Sequence, residues 1–214
     1  REENLYVKQA EVTEILTDAD GAVSGVRTYT GATYQVKAAV IASGTYLGGR
    51  TIVGEVTRAR ELSELFGANA LTRCLLDLGL GLRRFKTGTP PRVNARSIDF
   101  SRLEIQEGDE DTAPFSFETA ERPSNRAVCH ITYTTEETHE VIRRNLHRSP
   151  LFTGVIEGTG PRYCPSIEDK VTRFADKTRH QLFLEPMGLD TEEIYIQGFS
   201  SSLPEEVQVE MLHT

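Results

Sequence analysis

Apolar residues recur along this chain at helical spacing in four places. Ile167, Val171 and Phe174 fall at i, i+4 and i+7 and predict one buried stripe of a short helix. Just ahead of them, Ser166 followed three residues later by Asp169 is the pattern of a side-chain-capped helix start. Leu71, Leu75 and Leu78 predict a helix over 70–78, with Gly79 placed to end it. Val141, Ile142 and Leu146 give the inner face of a third helix, opened by a capping box of Thr134 with Glu137, reaching His147 and stopped by Pro150. On that helix His139 and His147 read as surface residues. Val207 and Met211 mark a fourth helix, capped by Ser202 with Glu205.

Strand signals fill the rest. Leu5 to Val7 is a short apolar run, followed by Val12, Ile15 and Leu16 and a turn at Asp18-Ala19-Asp20-Gly21. Val23 to Tyr29 and Thr33 to Val36 predict two strands joined through Thr30-Gly31-Ala32. Ala38 to Ala42 is a continuous apolar run, as in a strand buried on both faces, and it delivers Ser43-Gly44-Thr45 to its carboxyl end. In open α/β sheets ligands sit at such ends. Cys129 to Thr134, Gln181 to Glu185 and Glu193 to Gln197 read as further strands, whereas 97–127 is acidic and irregular, as in a solvated loop. Thr89-Pro90-Pro91 must be extended, because each proline excludes the helical conformation from its predecessor. A boundary after Arg92 therefore divides an α/β chain into 1–92 and 93–214.

Composition narrows the class. With 214 residues, 38 % apolar and 26 % charged, the chain has room for one large domain or two small ones. No apolar run approaches the roughly 18 residues needed to cross a membrane. Cys74, Cys129 and Cys164 show no C-x-x-C spacing, which argues against a disulfide framework and a structural zinc site and fits a reducing cytoplasm. No ligand spacing points to a metal. A net charge of −8 excludes a globally basic surface, yet Arg83, Arg84, Lys86, Arg92 and Arg96 form one cationic group and Arg143, Arg144, His147 and Arg148 another.

The stretch richest in candidate chemistry is Gly158 to Phe174. Cys164 lies two residues ahead of the capped helix, at the positive end of its dipole, with Arg162 close by, and both features favour a thiolate. The glycines at 158 and 160 would let a ligand approach the backbone. The same residues equally describe a buried cysteine at an ordinary loop-to-helix junction. Lys86-Thr-Gly-Thr-Pro-Pro-Arg92 suits an anionic ligand or, just as well, a rigid crossover.

The order of strand, short-strand meander, apolar run and A-S-G turn resembles the second half of a two-dinucleotide-type FAD-binding domain. Its opening G-x-G-x-x-G loop is missing, since Gly79-Leu-Gly81 follows a helix and Gly158-Thr-Gly160 runs into proline. With no initiator methionine, and an end inside the last helix, the chain reads as an internal piece of a longer protein. Longer motifs name the family. Lys86 to Arg92, His130-Ile-Thr-Tyr-Thr134, Arg144-Asn-Leu-His-Arg-Ser-Pro150, Val155-Ile-Glu-Gly158, Gly160-Pro-Arg-Tyr-Cys-Pro-Ser-Ile-Glu-Asp-Lys170 and Phe183-Leu-Glu-Pro186 together resemble the GidA (MnmG) family of tRNA uridine 5-carboxymethylaminomethyl modification enzymes.

The resemblance implies a cytoplasmic flavoprotein, homodimeric at full length. With a GTPase partner it modifies the wobble uridine of tRNA, using a folate one-carbon donor. It implies the later part of a Rossmann-like FAD domain followed by an α/β insertion domain that binds NAD(H). FAD would contact Val12 and lie over Ala42, Ser43, Gly44 and Thr45. The nicotinamide-nucleotide segment would be Gly160, Pro161, Arg162, Tyr163, Cys164, Pro165, Ser166, Ile167, Glu168, Asp169, Lys170, Val171, Thr172, Arg173 and Phe174, with Cys164 one of two catalytic cysteines; beside it the residues themselves suggest Arg162 as the cation that would hold a thiolate or an adjacent anion. Gly67-Ala68-Asn69 replaces a serine the family commonly carries near the flavin, so that contact is not expected. The chain alone is expected to be inactive and to retain no FAD. An alternative is a non-catalytic module that docks tRNA or a protein through Arg143, Arg144 and Arg148.

Overall fold

A computed structural model describes residues 2–59, 69–160 and 163–214. They fall into two compact units, one within 1–52 and 56–83 and the other made of 53–55 with 84–214.

In the first unit β1 (Val12–Thr17), β2 (Val23–Thr28) and β3 (Thr33–Gln35) form an antiparallel meander in that order. Its first turn closes because Asp18 Oδ1 accepts from the backbone N–H groups of Asp20 (3.0 Å) and Ala22 (2.9 Å), with Gly21 at φ +82°. A hairpin of β4 (Arg50–Val53) and β5 (Val56–Ala59) follows. Helix α1 (Asn69–Asp77) packs on β1 through fully buried Leu75. Half-buried Cys74 joins that contact, its sulfur accepting from Ile15 N–H at 3.3 Å and lying 3.7 Å from Ile15 O. The helix ends as the sequence predicts: Gly79 N–H bonds Leu76 O (2.9 Å) and Leu80 N–H bonds Leu75 O (3.0 Å), a Schellman termination that needs a left-handed residue at 79.

The run Ala38–Ala42 departs from expectation. It forms no strand, and Val40 is 93 % exposed. A strand buried on both faces exists only through flanking strands, and none among the described residues pairs with it.

The second unit is an antiparallel sheet under three helices. Strands β6 (Arg92–Asn94), β7 (Glu104–Gln106), β8 (Cys129–Tyr133), β9 (Gln181–Pro186) and β10 (Glu193–Gln197) lie in the order β6-β10-β9-β8-β7. Edge strand β7 comes from the acidic stretch read as loop, its backbone paired with β8 in the register Ile105↔His130. Helices α2 (Glu136–Asn145), α3 (Ile167–Arg173) and α4 (Glu205–Leu212) bury Val141, Ile142, Ile167, Val171, Val207 and Met211 against Leu182 and Ile196 of the sheet. Phe199 and Leu203, on the connection from β10 to α4, complete this cluster. Residues 84–92 pack with this unit: Phe85 bridges Thr159, and an ideal Cβ on Gly88 would lie 3.2 Å from Ser200 Cβ.

Three cap and burial expectations shift for identifiable reasons. The box opening α2 is Thr135 with Thr138, one residue later than Thr134 with Glu137. Thr134 is committed elsewhere, its hydroxyl accepting from His180 N–H (2.8 Å) while its own N–H bonds His180 O (3.0 Å). His139, three and seven residues before Ile142 and Leu146, shares their helix face, so it is buried rather than at the surface. Helix α4 has Pro204 at its N-cap and no side-chain cap. The Ser202 N–H donates to Glu168 Oε1 (3.1 Å) and its carbonyl accepts from Gly54 N–H (2.7 Å), and this places its hydroxyl in a buried position without a partner among the described residues.

Candidate functional site

Helix α3 is seated by a reciprocal cap and two loops. Ser166 Oγ accepts from Asp169 N–H (3.1 Å), and Asp169 Oδ2 accepts from Ser166 N–H (3.3 Å), as the sequence predicts. Ile167 N–H donates to Ser200 O at 2.8 Å. Glu168 is fully buried, and its Oε1 accepts from Ser201 Oγ (3.0 Å) and Ser202 N–H (3.1 Å), tying the helix to 200–202. Lys170 Nζ donates to Gly198 O at 2.9 Å. Thr172 donates back to Glu168 O (2.8 Å), and Arg173 pairs with Asp169 at 3.2 Å. Val171 is buried, but the helix ends at Arg173, so Phe174 leaves the apolar stripe and is 50 % exposed.

Ahead of the helix runs the loop that carries the cysteine. Gly158 stands at φ +116°, and an ideal Cβ there would lie 2.8 Å from Arg84 O, so only glycine fits. Lys86 N–H donates to Thr159 O (3.2 Å), and the Lys86 side chain crosses Gly160, its Cε 2.5 Å from an ideal Cβ at that position. Tyr163 is exposed and Cys164 half-buried, with Pro165 following it into the cap. Pro161 and Arg162 lie outside the described residues, as do Gly67 and Ala68. The loop is thus held between 84–88 on one side and, through α3, 198–202 on the other. Sequence reasoning missed Glu168 and Lys170 as individual anchors; the signal was their place in the first turn of a capped helix.

The FAD-side residues belong to the first unit. Val12 opens β1, half-buried and opposite Thr28. Ala42 is exposed, and Ser43-Gly44-Thr45 forms an open turn in which Tyr46 N–H bonds Ser43 O (3.1 Å) and Gly44 takes φ +56°. Among the described residues nothing lies within 4 Å of an ideal Cβ on Gly44, so a flat ligand could rest on that backbone.

Four members of the two cationic groups are engaged by neighbours. Arg92 donates to Pro90 O (2.7 Å) and lies 4.7 Å from the Tyr195 ring centroid; Arg96 pairs with Glu192 at 3.2 Å. Arg144 pairs with Glu210, and Arg148 with both Glu55 (2.8 Å) and Glu206 (2.7 Å). Hydrogen bonding from Arg148 holds the Glu55 carboxyl below its ordinary range. Of the arginines expected to dock RNA, two of three are therefore bound by carboxylates. Among the described residues no cluster of three or more His, Cys, Asp or Glu could hold a metal ion, and no helix is long and apolar enough to cross a membrane.

Beside α3 sits an imidazole pair, His139 buried and His180 half-buried. The His139 and His180 rings are 5.2 Å apart, and His139 Nε2 lies 2.8 Å from Thr134 Oγ1. Burial, then the His180 and Arg143 charges, lower the His139 pKa; burial, then Lys170, lower that of His180. Both protonate less readily in the fold than once unfolded, so the unfolded state binds more protons as pH falls. Their contribution is complete above the unfolded histidine pKa of about 6.5 and is lost as pH falls below it. Urea midpoints should fall from pH 7 to pH 5, and His139→Gln with His180→Gln should flatten that slope; an unchanged slope would remove the pair from the acid response.

The whole chain, residues 1–214, matches the family model described as Glucose inhibited division protein A. This chain belongs to that family. It is 58 % identical over 208 residues to a tRNA uridine 5-carboxymethylaminomethyl modification enzyme MnmG of Caldicellulosiruptor saccharolyticus, covering 97 % of this chain and 33 % of that protein. An MnmG of Geobacillus kaustophilus is 52 % identical over 213 residues, covering 100 % of this chain and 34 % of the relative. The structure of Aquifex aeolicus GidA in its form I crystal superposes with a TM-score of 0.85 at 50 % identity, over 98 % of this chain and 36 % of that one. The chain thus spans about a third of the length of these family members, and its mixed α/β architecture, including the partial Rossmann-like unit, agrees with GidA.

Proposed function

We propose that this chain is part of an FAD-dependent enzyme that, with a GTPase partner, installs an aminomethyl-type group, 5-carboxymethylaminomethyl, on the wobble uridine of tRNA in the cytoplasm, acting as a homodimer. Relatives named for uridine modification support the reaction class. The single observation that carries the chemistry is the placement of Cys164, half-buried in a glycine loop that is braced by Lys86 and Thr159 and runs straight into a doubly anchored helix.

Uridine C5 is not nucleophilic until something adds at C6. In this reading the Cys164 thiolate forms an S–C6 bond, and the C5=C6 electron pair moves onto C5. C5 then forms a bond to an electrophilic one-carbon unit from a folate donor, and the bond from that carbon to the folate nitrogen breaks. Glycine or ammonia supplies the nitrogen of the aminomethyl-type group. Loss of the C5 proton restores the double bond and expels the thiolate. FAD, over Val12 and the Ser43-Gly44-Thr45 turn, would supply the redox capacity when bound. NAD(H), along Gly160 to Phe174, would supply hydride, with Lys86 beside Gly160 suited to a phosphate.

The test supplies the full-length gene to a bacterium lacking this modification and analyses its tRNA nucleosides by mass spectrometry. Reappearance of the modified wobble uridine is expected. Its continued absence, with the protein expressed and folded, refutes the reading.

A further inference from the structure

Residues 86–89 (Lys-Thr-Gly-Thr) are held as a preformed loop within the second unit. At its start the backbone runs beside the cysteine loop, with Phe85 bridging Thr159 and Lys86 N–H donating to Thr159 O at 3.2 Å. In its middle Gly88 rests on Ser200, the residue whose carbonyl seats α3; an ideal Cβ on Gly88 would lie 3.2 Å from Ser200 Cβ. At its end Arg92 folds back to donate to Thr89 Oγ1 and, at 2.7 Å, to Pro90 O, and Pro90 is buried. These anchors leave the outward donors unused. Thr87, Gly88 and Thr89 are exposed, and their N–H groups have no acceptor among the described residues.

Lys86 has a seat of its own on this loop. Its Cε lies 2.5 Å and its Nζ 3.3 Å from an ideal Cβ on Gly160, so its stem fills the space that a side chain at 160 would need. The lysine is half-buried, yet among the described residues no carboxylate or carbonyl takes its ammonium. Arg92 and Arg148, by contrast, are engaged inside the fold. A long side chain whose stem is packed while its charge stays unpaired is arranged for a ligand anion.

We propose that Lys86-Thr87-Gly88-Thr89 is a phosphate-binding loop, its exposed N–H groups and the Lys86 ammonium taking one phosphate of a nucleotide that lies along the cysteine loop. Successive backbone N–H groups in a turn make an anion-binding concavity, and a lysine supplies the point charge. With a net charge of −8 the chain repels polyanions at long range, so a local cation has to hold the phosphate. Two sources carry this chemistry: the pyrophosphate of a nicotinamide dinucleotide, and the backbone phosphate of the tRNA nucleotide whose base meets Cys164. The inference rests on the reading that the loop carrying Cys164 faces a nucleotide, and it adds the groups that hold that nucleotide's charge.

The experiment uses the full-length, flavin-loaded protein carrying Lys86→Met, which keeps the stem in its seat and removes the charge. The KM for NADH is read from flavin reduction, and the dissociation constant of unmodified tRNA is read across a salt series. Loss of a charge-assisted contact should weaken one of the two about tenfold or more. A raised KM for NADH with tRNA binding unchanged assigns the loop to the dinucleotide pyrophosphate. Weaker tRNA binding, with a salt slope shallower by about 0.7 as expected of one single-strand phosphate contact, assigns it to the tRNA backbone. Lys86→Arg should regain most of the lost affinity, and Lys86→Gln should match Lys86→Met and serves where that variant does not fold. Both constants within about twofold of wild type in the neutral variants, or an arginine variant as weak as they are, would overturn the proposal. Modified uridine is measured separately by mass spectrometry of the nucleosides. Unchanged constants in an enzyme that still makes product sink the loop alone, whereas an enzyme that makes no product but loses NADH or tRNA affinity with Lys86→Met leaves the loop standing.

Discussion

Cys164→Ser in the full-length protein should abolish wobble-uridine modification, with a loss on the order of 10³-fold or more. Serine keeps the shape of the side chain, but at neutral pH its hydroxyl provides almost no anion, whereas a thiol provides at least a few per cent. The substitution touches none of the bonds that hold the loop. The Lys86 to Thr159 contact, the Ser166–Asp169 cap and the Lys170 to Gly198 contact all form without the sulfur. The unfolding midpoint should therefore stay with wild type while product disappears. Product at the wild-type level in the serine variant would remove Cys164 from the chemistry and leave the loop as a cofactor-binding segment. A matching loss of stability would instead mean that the sulfur is a packing group.

What could be read from residues alone divides by range. The cap of α3, the Schellman end of α1 and the glycine turns at 21 and 31 are settled within five or six residues, and each forms as its residue types predict. Errors arose where a distant partner takes the group that a local rule needs. Thr134 fits a capping box with Glu137, but β9 brings His180 alongside and claims its hydroxyl and N–H. Ser202 fits a cap for α4, but Glu168 and Gly54, far along the chain, hold its backbone in a place where its hydroxyl is buried and caps nothing. Ala38–Ala42 has the composition of a doubly buried strand, yet composition cannot supply neighbours, and here it is exposed.

The site shows the same division. Cys164 at the foot of a capped helix was legible, because both features sit within six residues. That Lys86 would cross Gly160, or that Glu168 would bolt α3 to 200–202, depends on segments more than thirty residues apart meeting in space. A carboxylate in a first helical turn reads as a surface residue favoured by the dipole. Only the structure shows Glu168 fully buried, with its Oε1 occupied by two donors from the next loop.

Ile142→Ala should destabilise the second unit by about 2–5 kcal/mol, the range for truncating a fully buried isoleucine whose neighbours cannot collapse onto the gap. Ile142 has no exposed surface, and its cluster joins α2 to α3, α4 and the sheet at once, through Ile167, Val171, Val207, Met211, Leu182 and Ile196. Relaxation of any one helix would therefore strain another. Val209→Ala on α4, where the side chain is 49 % exposed, should cost less than about 0.5 kcal/mol and sets the baseline for the same unit. Urea unfolding of both variants, followed by hydrogen exchange at the amides of α3, separates the outcomes. The Ile142 cavity should lower protection in α3 as well as in α2, because Ile167 and Val171 seat the cysteine-bearing helix on that same cluster. If α3 protection is untouched while α2 loosens, the helix under Cys164 is held by its loop bonds to Ser200, Ser201 and Ser202, and the apolar core plays no part in fixing the site.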